Sequence, residues 1–398
     1  ADPDTLAQLF AEERNIRTPR DDFRSCLLNA ALQFYYRPDA THGYLLAGYP
    51  WFGVRARDLF IALPGCTIYA DAPERFYRIM DTVLPDMRAF MRQEGISKEI
   101  RNINEGDIGL WAIWTLQEYA RWSSHPDMVS RYGDFLDELI HYYLRNVHPN
   151  LRIDDNGLCV MTGDGRPLSW MDAKVNGQAV VRREGYLVEV NALWYNALCF
   201  YREALPQKWT PELEELLGCV QQSFCDTFIN QHGYLFDYVH PHSSWRDWSV
   251  RPNMVFATSL PYSPLPKATR RSVLEIITRE LRTPKGLRSL SPKSDGYQPQ
   301  CHGTQWQREQ SYYNGSVWPW LLGPYFEACI KLYGRSAISF IENTLIGMEE
   351  ELQQHGVGTV SELFDGNPPF KGRGAISFAM SVGELLRSLA LLEEAKSK

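Results

Sequence analysis

The sequence lacks most of the devices that would announce its chemistry. There is no Cys-x-x-Cys pair and no Cys/His cluster at ligand spacing, so the common zinc sites are not indicated. There is no Gly-x-Ser-x-Gly elbow, no Gly-x4-Gly-Lys-Ser/Thr loop and no Gly-x-Gly-x-x-Gly fingerprint. That argues against elbow-type hydrolases and against P-loop or dinucleotide enzymes. Neither a metal nor an organic cofactor is expected. No apolar run approaches the ~20 residues that span a bilayer. No block of basic residues exists either, and 41 Lys and Arg against 48 Asp and Glu give a formal charge of −7. Such a chain is a poor nucleic-acid binder, because phosphate contacts need clustered cations. Also missing are a repeat of fixed length, a Pro/Ser-rich linker and a signal-peptide pattern. The chain opens Ala-Asp-Pro-Asp without Met and is expected to be a piece of a longer protein.

What is present is helical and aromatic. Hydrophobic residues make up 44% and aromatic residues 13%, too much for disorder. Eight scattered Cys read as reduced thiols in or near a core, five of them (Cys26, Cys66, Cys199, Cys219, Cys329) within apolar helical stretches, which favours the cytoplasm. Helical periodicity predicts twelve helices, over 22–36, 57–69, 73–93, 107–122, 126–145, 189–205, 211–229, 253–260, 266–281, 316–333, 336–354 and 375–395. Long connections rich in Gly, Pro and Asp separate them, at 44–56, 150–188, 232–252, 283–312 and 356–374. Ordered loops of that length on a rigid scaffold usually carry function. Twelve helices could close into six hairpins, an all-α (α/α)6 barrel. An open solenoid would give a similar pattern, and periodicity does not choose between them.

Four loop segments hold the candidate chemistry. Residues 47–58 gather Tyr49, Trp51, Phe52, Arg55, Arg57 and Asp58. Aromatic faces stack on pyranose C–H groups while Arg and Asp bind hydroxyls. A core-packing aromatic loop, with Arg57 and Asp58 opening a helix, fits equally well. Residues 168–175 place Asp172 beside Trp170. Apolar surroundings would raise its pKa, as a general acid requires, although a turn Asp bonded to its own backbone is the simpler local reading. Residues 359–366 hold Glu362 and Asp365. If extended, they turn Glu362 inward with no cation beside it. Residues 308–320 are again aromatic and polar, with Ser316 a candidate helix cap and Pro319 in the first turn. Arg246-Asp247-Trp248 and Trp306 add further aromatic–polar pairs. Carboxylates among Trp and Tyr best match two acids flanking a glycosidic bond.

Five segments carry a resemblance: AGYPWFGVRARDLF at 47–60, LSWMDAKV at 168–175, EVNALWYNAL at 189–198, YYNGSVWPWLLGPY at 312–325 and VSELFDG at 360–366. GLRSLSP at 286–292 also fits. In order and spacing the chain resembles the glucosidase domain of bacterial and archaeal glycogen debranching enzymes, the amylo-α-1,6-glucosidase family. The resemblance implies an (α/α)6 barrel related to glucoamylases. It implies inverting hydrolysis of α-1,6-linked glucose in glycogen or related α-glucans. It also implies that residues 1–398 form one barrel domain, whose partner in the parent protein is an N-terminal β-rich domain. Asp172 would be the general acid and Glu362 the general base. Arg57 and Asp58 would hold the outer hydroxyls of the terminal glucose, with Trp51 and Trp170 close by. Tyr49, Lys174, Glu189, Asn191, Glu309, Tyr313, Asn314 and Trp318 complete the expected substrate contacts.

Inversion would place the two carboxyl groups roughly 6.5–9.5 Å apart, with the acid at raised pKa and the base lower. The chain departs from the family pattern at three places. Arg55-Ala56 stands where Trp-Gly is usual, Tyr313 where His is usual, and Glu309 where Asp is common. A shorter oligosaccharide or another linkage is therefore an open alternative, as is a carbohydrate-binding barrel with weak or no catalysis.

Overall fold

The computed structural model describes residues 2–398, apart from the side chains of Glu13 and Ile16. Ala1 lies outside the described residues. The helices are α1 (Pro3–Ile16), α2 (Phe23–Phe34), α3 (Ala56–Cys66), α4 (Pro73–Met91), α5 (Ile108–Trp122), α6 (His125–Leu144) and α7 (Val188–Ala204). Then follow α8 (Pro211–Phe228), α9 (Phe256–Ser259), α10 (Lys267–Glu280), α11 (Gln305–Tyr312), α12 (Leu322–Tyr333), α13 (Ile338–Glu349) and α14 (Ala379–Ser397). All twelve expected helices are present. Helix α11 occupies part of a connection expected to be loop.

Six helices make an inner ring. Helices α3, α5, α7, α9, α12 and α14 each pack on the next, and α14 packs back on α3. That last contact closes an (α/α)6 barrel and rules out the open solenoid. Outside it, α2 lies on α3 and α14, α6 bridges α5 and α7, α8 lies on α7, α10 on α9 and α12, and α13 on α14. Helix α4 reaches α5 through Phe76 stacked on Tyr119 at 4.9 Å.

Burial follows position in the ring. Every residue of α3 is buried, as expected of a helix surrounded on all sides. Outer α4 instead buries one stripe, Phe76, Ile79, Met80, Val83, Leu84 and Met87, at helical spacing. Two outer helices carry a side-chain cap followed by a first-turn Pro, Ser124 on α6 and Thr210 on α8. Inner helices start differently. Strands at 54–55, 186–187 and 377–378 lead directly into α3, α7 and α14, so the N-terminal end of the ring collects the short strands and the long loops. One five-stranded antiparallel sheet, at 282–283, 286–288, 317–318, 363–364 and 372–373, belongs to this end. Ser316 does not cap a helix. Its hydroxyl donates to the Ser311 carbonyl at 3.0 Å, and Pro319 opens a 3-10 turn ahead of α12. Cys219 also departs from expectation, facing solvent on α8 rather than the core.

The barrel axis is filled. Trp111, Phe256 and Trp320 meet edge-on or stacked at 5.4–6.4 Å, and Trp320 touches Trp170 above it at 5.2 Å. Partway along the inner helices a charge cluster is buried beside Trp111 and Trp320. The Arg387 guanidinium, 1% exposed, bonds Glu384 at 2.8 Å and Glu327 at 2.8 Å, and faces Glu118 at 3.7 Å. Lys331 and Arg121 join through Glu327.

Helices α3 and α14 meet at Gly65 and Gly383. A Cβ at Gly65 would lie 1.9 Å from the Gly383 carbonyl oxygen, so the backbones touch where a side chain cannot fit. Gly65→Ala is expected to cost at least about 1–3 kcal/mol of stability by overpacking. An unchanged urea midpoint would show a looser seam. No helix of the described residues is long and apolar enough to cross a membrane.

Candidate active site

Asp172 and Glu362 are held by adjacent tyrosines that pack on Trp318, at the N-terminal end of the ring. The pair is organised by two consecutive tyrosines at the end of α11. The Tyr313 hydroxyl donates to Asp172 Oδ1 at 2.9 Å, and the Tyr312 hydroxyl donates to Glu362 Oε2 at 3.1 Å. Stacking fixes these rings. Tyr313 lies parallel to Trp318 at 5.1 Å, edge-on to Trp170 at 5.3 Å and near Tyr312 at 5.9 Å. Trp318 Nε1 donates to the Tyr312 carbonyl at 2.9 Å, which holds the turn itself.

Glu362 is buried without an ion pair, as its local pattern implies. Residues 359–366 are buried on both faces, with a strand at 363–364. Burial pushes the Glu362 carboxyl up to about 7, against hydrogen bonds from the Ala375 N–H at 2.8 Å and from Tyr312. Glu362 is thus raised, not lower as expected of the base, because its carboxyl is cut off from water. Asp172 instead lies against a cation. Arg55, the residue preceding α3, ion-pairs with Asp172 and reaches Asp58 at 3.4 Å. Its guanidinium sits 5.4 Å above the Phe52 ring, and Asp172 and then Asp58 hold it firmly charged. Both Arg55 and Tyr313, two departures from the family pattern, therefore touch the same carboxylate.

The remaining expected residues divide into three groups. Asp58 and Glu309 lie near the pair. Burial raises the Asp58 carboxyl against Arg55, and burial followed by the Asp172 charge raises Glu309. Trp51 sits on the rim, 61% exposed. Lys174 is exposed and lines a polar cleft of about 190 Å³ with Asn102, Asn104, Glu105 and Arg166.

A second group supports the site from behind. Arg57 is buried, and both Nε and a terminal nitrogen bond Asp107 at 2.8 Å while it also pairs with Glu105. Its Nε and one terminal nitrogen are thereby engaged within the protein. Glu189 takes two bonds from buried Arg183 at 2.6 and 2.7 Å. Arg183 also bonds Asp237, which receives Asn253, which in turn accepts from Trp170 Nε1 at 2.7 Å. Thus Glu189 acts on Trp170 through a chain of buried polar groups.

The last group is structural. Asn191 clasps both backbone groups of Cys159. Asn314 holds Arg251 and the Gln310 carbonyl. The Tyr49 hydroxyl donates to the Gln33 carbonyl at 2.5 Å and its ring stacks on Phe34.

Tyr312, Glu105, Asp107 and Arg183 were not among the site residues expected from the sequence, and Arg55 was noted only within the 47–58 loop. Tyr312 had a signal, as the neighbour of a selected Tyr in an aromatic motif. Among the described residues no group of three or more His, Cys, Asp or Glu could hold a metal ion.

A closed (α/α)6 ring with two converging carboxylates over an aromatic floor defines a glycoside hydrolase. Comparison with known proteins agrees. The amylo-alpha-1,6-glucosidase family model matches residues 29–387, and the chain belongs to that family. No curated protein matches significantly. Among solved structures, the GH63 mannosylglycerate hydrolase of Thermus thermophilus in complex with Tris superposes with TM-score 0.63 at 13% identity, covering 92% of this chain and 99% of that one. An uncharacterized conserved protein of the same organism gives 0.64 at 15% identity, with coverages of 92% and 99%. A wild-type glycosidase gives 0.58 at 13%, with coverages of 93% and 97%. At such identities the likeness concerns the fold.

Proposed function

We propose that the protein releases glucose from α-1,6 linkages of glycogen or related α-glucans, with inversion at C1. The observation that carries this reading is the pairing of Asp172 and Glu362 through adjacent Tyr hydroxyls. In this reading Asp172 protonates the leaving oxygen and Glu362 draws a proton from the attacking water. A base with pKa about 7 suits work near neutral pH. NMR of isomaltose or panose digests tests the reading. Inversion gives β-glucose first, and Asp172→Asn should lower kcat by about 10²–10⁴-fold. Initial α-glucose, or full activity in both Asp172→Asn and Glu362→Gln, would sink it.

The Arg55–Asp172 pair favours a second reading, a barrel with weak catalysis. For Asp172 to meet a glycosidic oxygen, that pair must open. Arg55→Ala is expected to raise kcat on isomaltose by roughly tenfold, equivalent to about 1.4 kcal/mol. A fall would mean instead that Arg55 positions Asp172.

A further inference from the structure

We propose that the 232–252 loop carries a second carbohydrate site, a platform for an α-glucan chain built on Trp245 and Trp248. Both indoles are exposed, by 59% and 43%, and both line one shallow concavity of about 720 Å³ formed by residues 243–249. Each is fixed from one side. Trp245 Nε1 donates to the Tyr238 hydroxyl at 3.1 Å, and Trp248 meets Phe236 edge-on at 4.6 Å and His232 at 5.8 Å. An indole anchored by its edge, with much of its surface in water, offers a stacking surface at low entropic cost.

Polar groups with spare capacity lie between the two rings. Arg246 donates to the Ser244 carbonyl and leans on Phe236, and among the described residues it meets no carboxylate. The Asp247 carboxylate accepts the Ser249 N–H and no other group among the described residues. Flat apolar faces beside unspent donors and acceptors suit a neutral polyhydroxylated ligand.

The platform is continuous with the framework of the active site. The Asp237 N–H donates to the Asp247 carbonyl at 3.0 Å, and the Asp247 N–H to the Tyr238 carbonyl at 2.9 Å. The Asp237 side chain holds Asn253 at 2.7 Å, and Asn253 accepts from Trp170 at 2.7 Å. A polymer seated on Trp245 and Trp248 is thereby kept at the end of the barrel where Asp172 and Glu362 lie. That the ligand is α-linked rests on the function proposed above.

Affinity electrophoresis in native gels containing glycogen tests the platform without requiring turnover. Wild type should be retarded. The Trp245→Ala/Trp248→Ala double variant should bind glycogen roughly tenfold more weakly, as expected for loss of stacking aromatics. Its kcat/KM on isomaltose should match wild type, which also shows that it folds. Retardation of the double variant equal to wild type would overturn the proposal, and so would a wild type that glycogen does not retard. Equal retardation by a β-1,4-glucan would overturn the ligand class. A chain that cleaved no α-glucan would refute the hydrolase reading alone, and the gel would still decide on the platform.

Discussion

Glu362→Gln is expected to slow isomaltose hydrolysis by about 10²–10⁴-fold and, above pH 7, to make the protein more stable. The first effect follows from loss of the proposed base. The second follows from burial. The folded carboxyl titrates near 7 against an ordinary 4.5, so the native state holds a proton that the unfolded chain has already lost. Stability from this group is full below pH 4.5 and falls as pH rises toward 7. The full effect is about 3 kcal/mol above pH 7. Gln keeps an oxygen to accept from Ala375 N–H and Tyr312 and never ionises. Urea unfolding of both proteins at pH 4.5 and pH 8 reads the difference. Wild-type kcat/KM should fall on the acid side below pH 7. If the variant hydrolyses isomaltose normally, or shows the same pH dependence of stability, Glu362 does not have this role.

Arg387→Met is expected to lower stability by about 3–5 kcal/mol at pH 8, the usual result of leaving buried charge without its partner. Arg387 faces Glu118, Glu327 and Glu384 between the inner helices. Burial pushes Glu384 up to about 7 even with Arg387 beside it. Burial opposes ionisation of Glu327 as well, yet Lys331, Arg387 and Arg121 bring it down to about 2. Without Arg387 these carboxyls can take up protons in acid, so the loss should shrink at pH 5. None of these groups hydrogen-bonds Asp172 or Glu362 among the described residues, and KM for isomaltose should hold at low temperature. A loss below about 1 kcal/mol at pH 8 would place the stabilising charge elsewhere, at the level of an exposed pair.

Some of this was legible in the sequence, for physical reasons. Outer helices announce themselves by a stripe, as Phe76, Ile79, Met80 and Val83 do on α4. Helix α11 escaped because it is polar almost throughout, with only Ser311 buried. Its one sign was the capping box of Thr304 and Gln307. Ring closure was not legible, because Gly65 and Gly383 are small residues whose contact no local pattern expresses. In the site, the resemblance singled out Asp172 and Glu362, which the structure places on the adjacent hydroxyls of Tyr313 and Tyr312. It did not separate residues beside the pair from those behind it. Glu189 and Arg57 sit in matching motifs, yet their partners Arg183 and Glu105 come from loops with no periodic signature, and Asp107 only opens a helix. Arg55 looked like a mere departure until its contact with Asp172 was visible.

The seam between α3 and α14 also sets an order of assembly. Helix α3 is made early and is apolar over most of its surface, yet a large part of its cover is α14, which leaves the ribosome more than 300 residues later. Until then the nascent chain holds an unclosed arc with an exposed apolar edge, the condition under which large chains aggregate. Contacts between such distant partners come late and slowly. A stop codon just before Ala379 should therefore yield not a smaller barrel but an insoluble one. A circular permutant that joins the end of α14 to the start of α2 and opens an outer loop would make the two seam helices neighbours in time as well as in space.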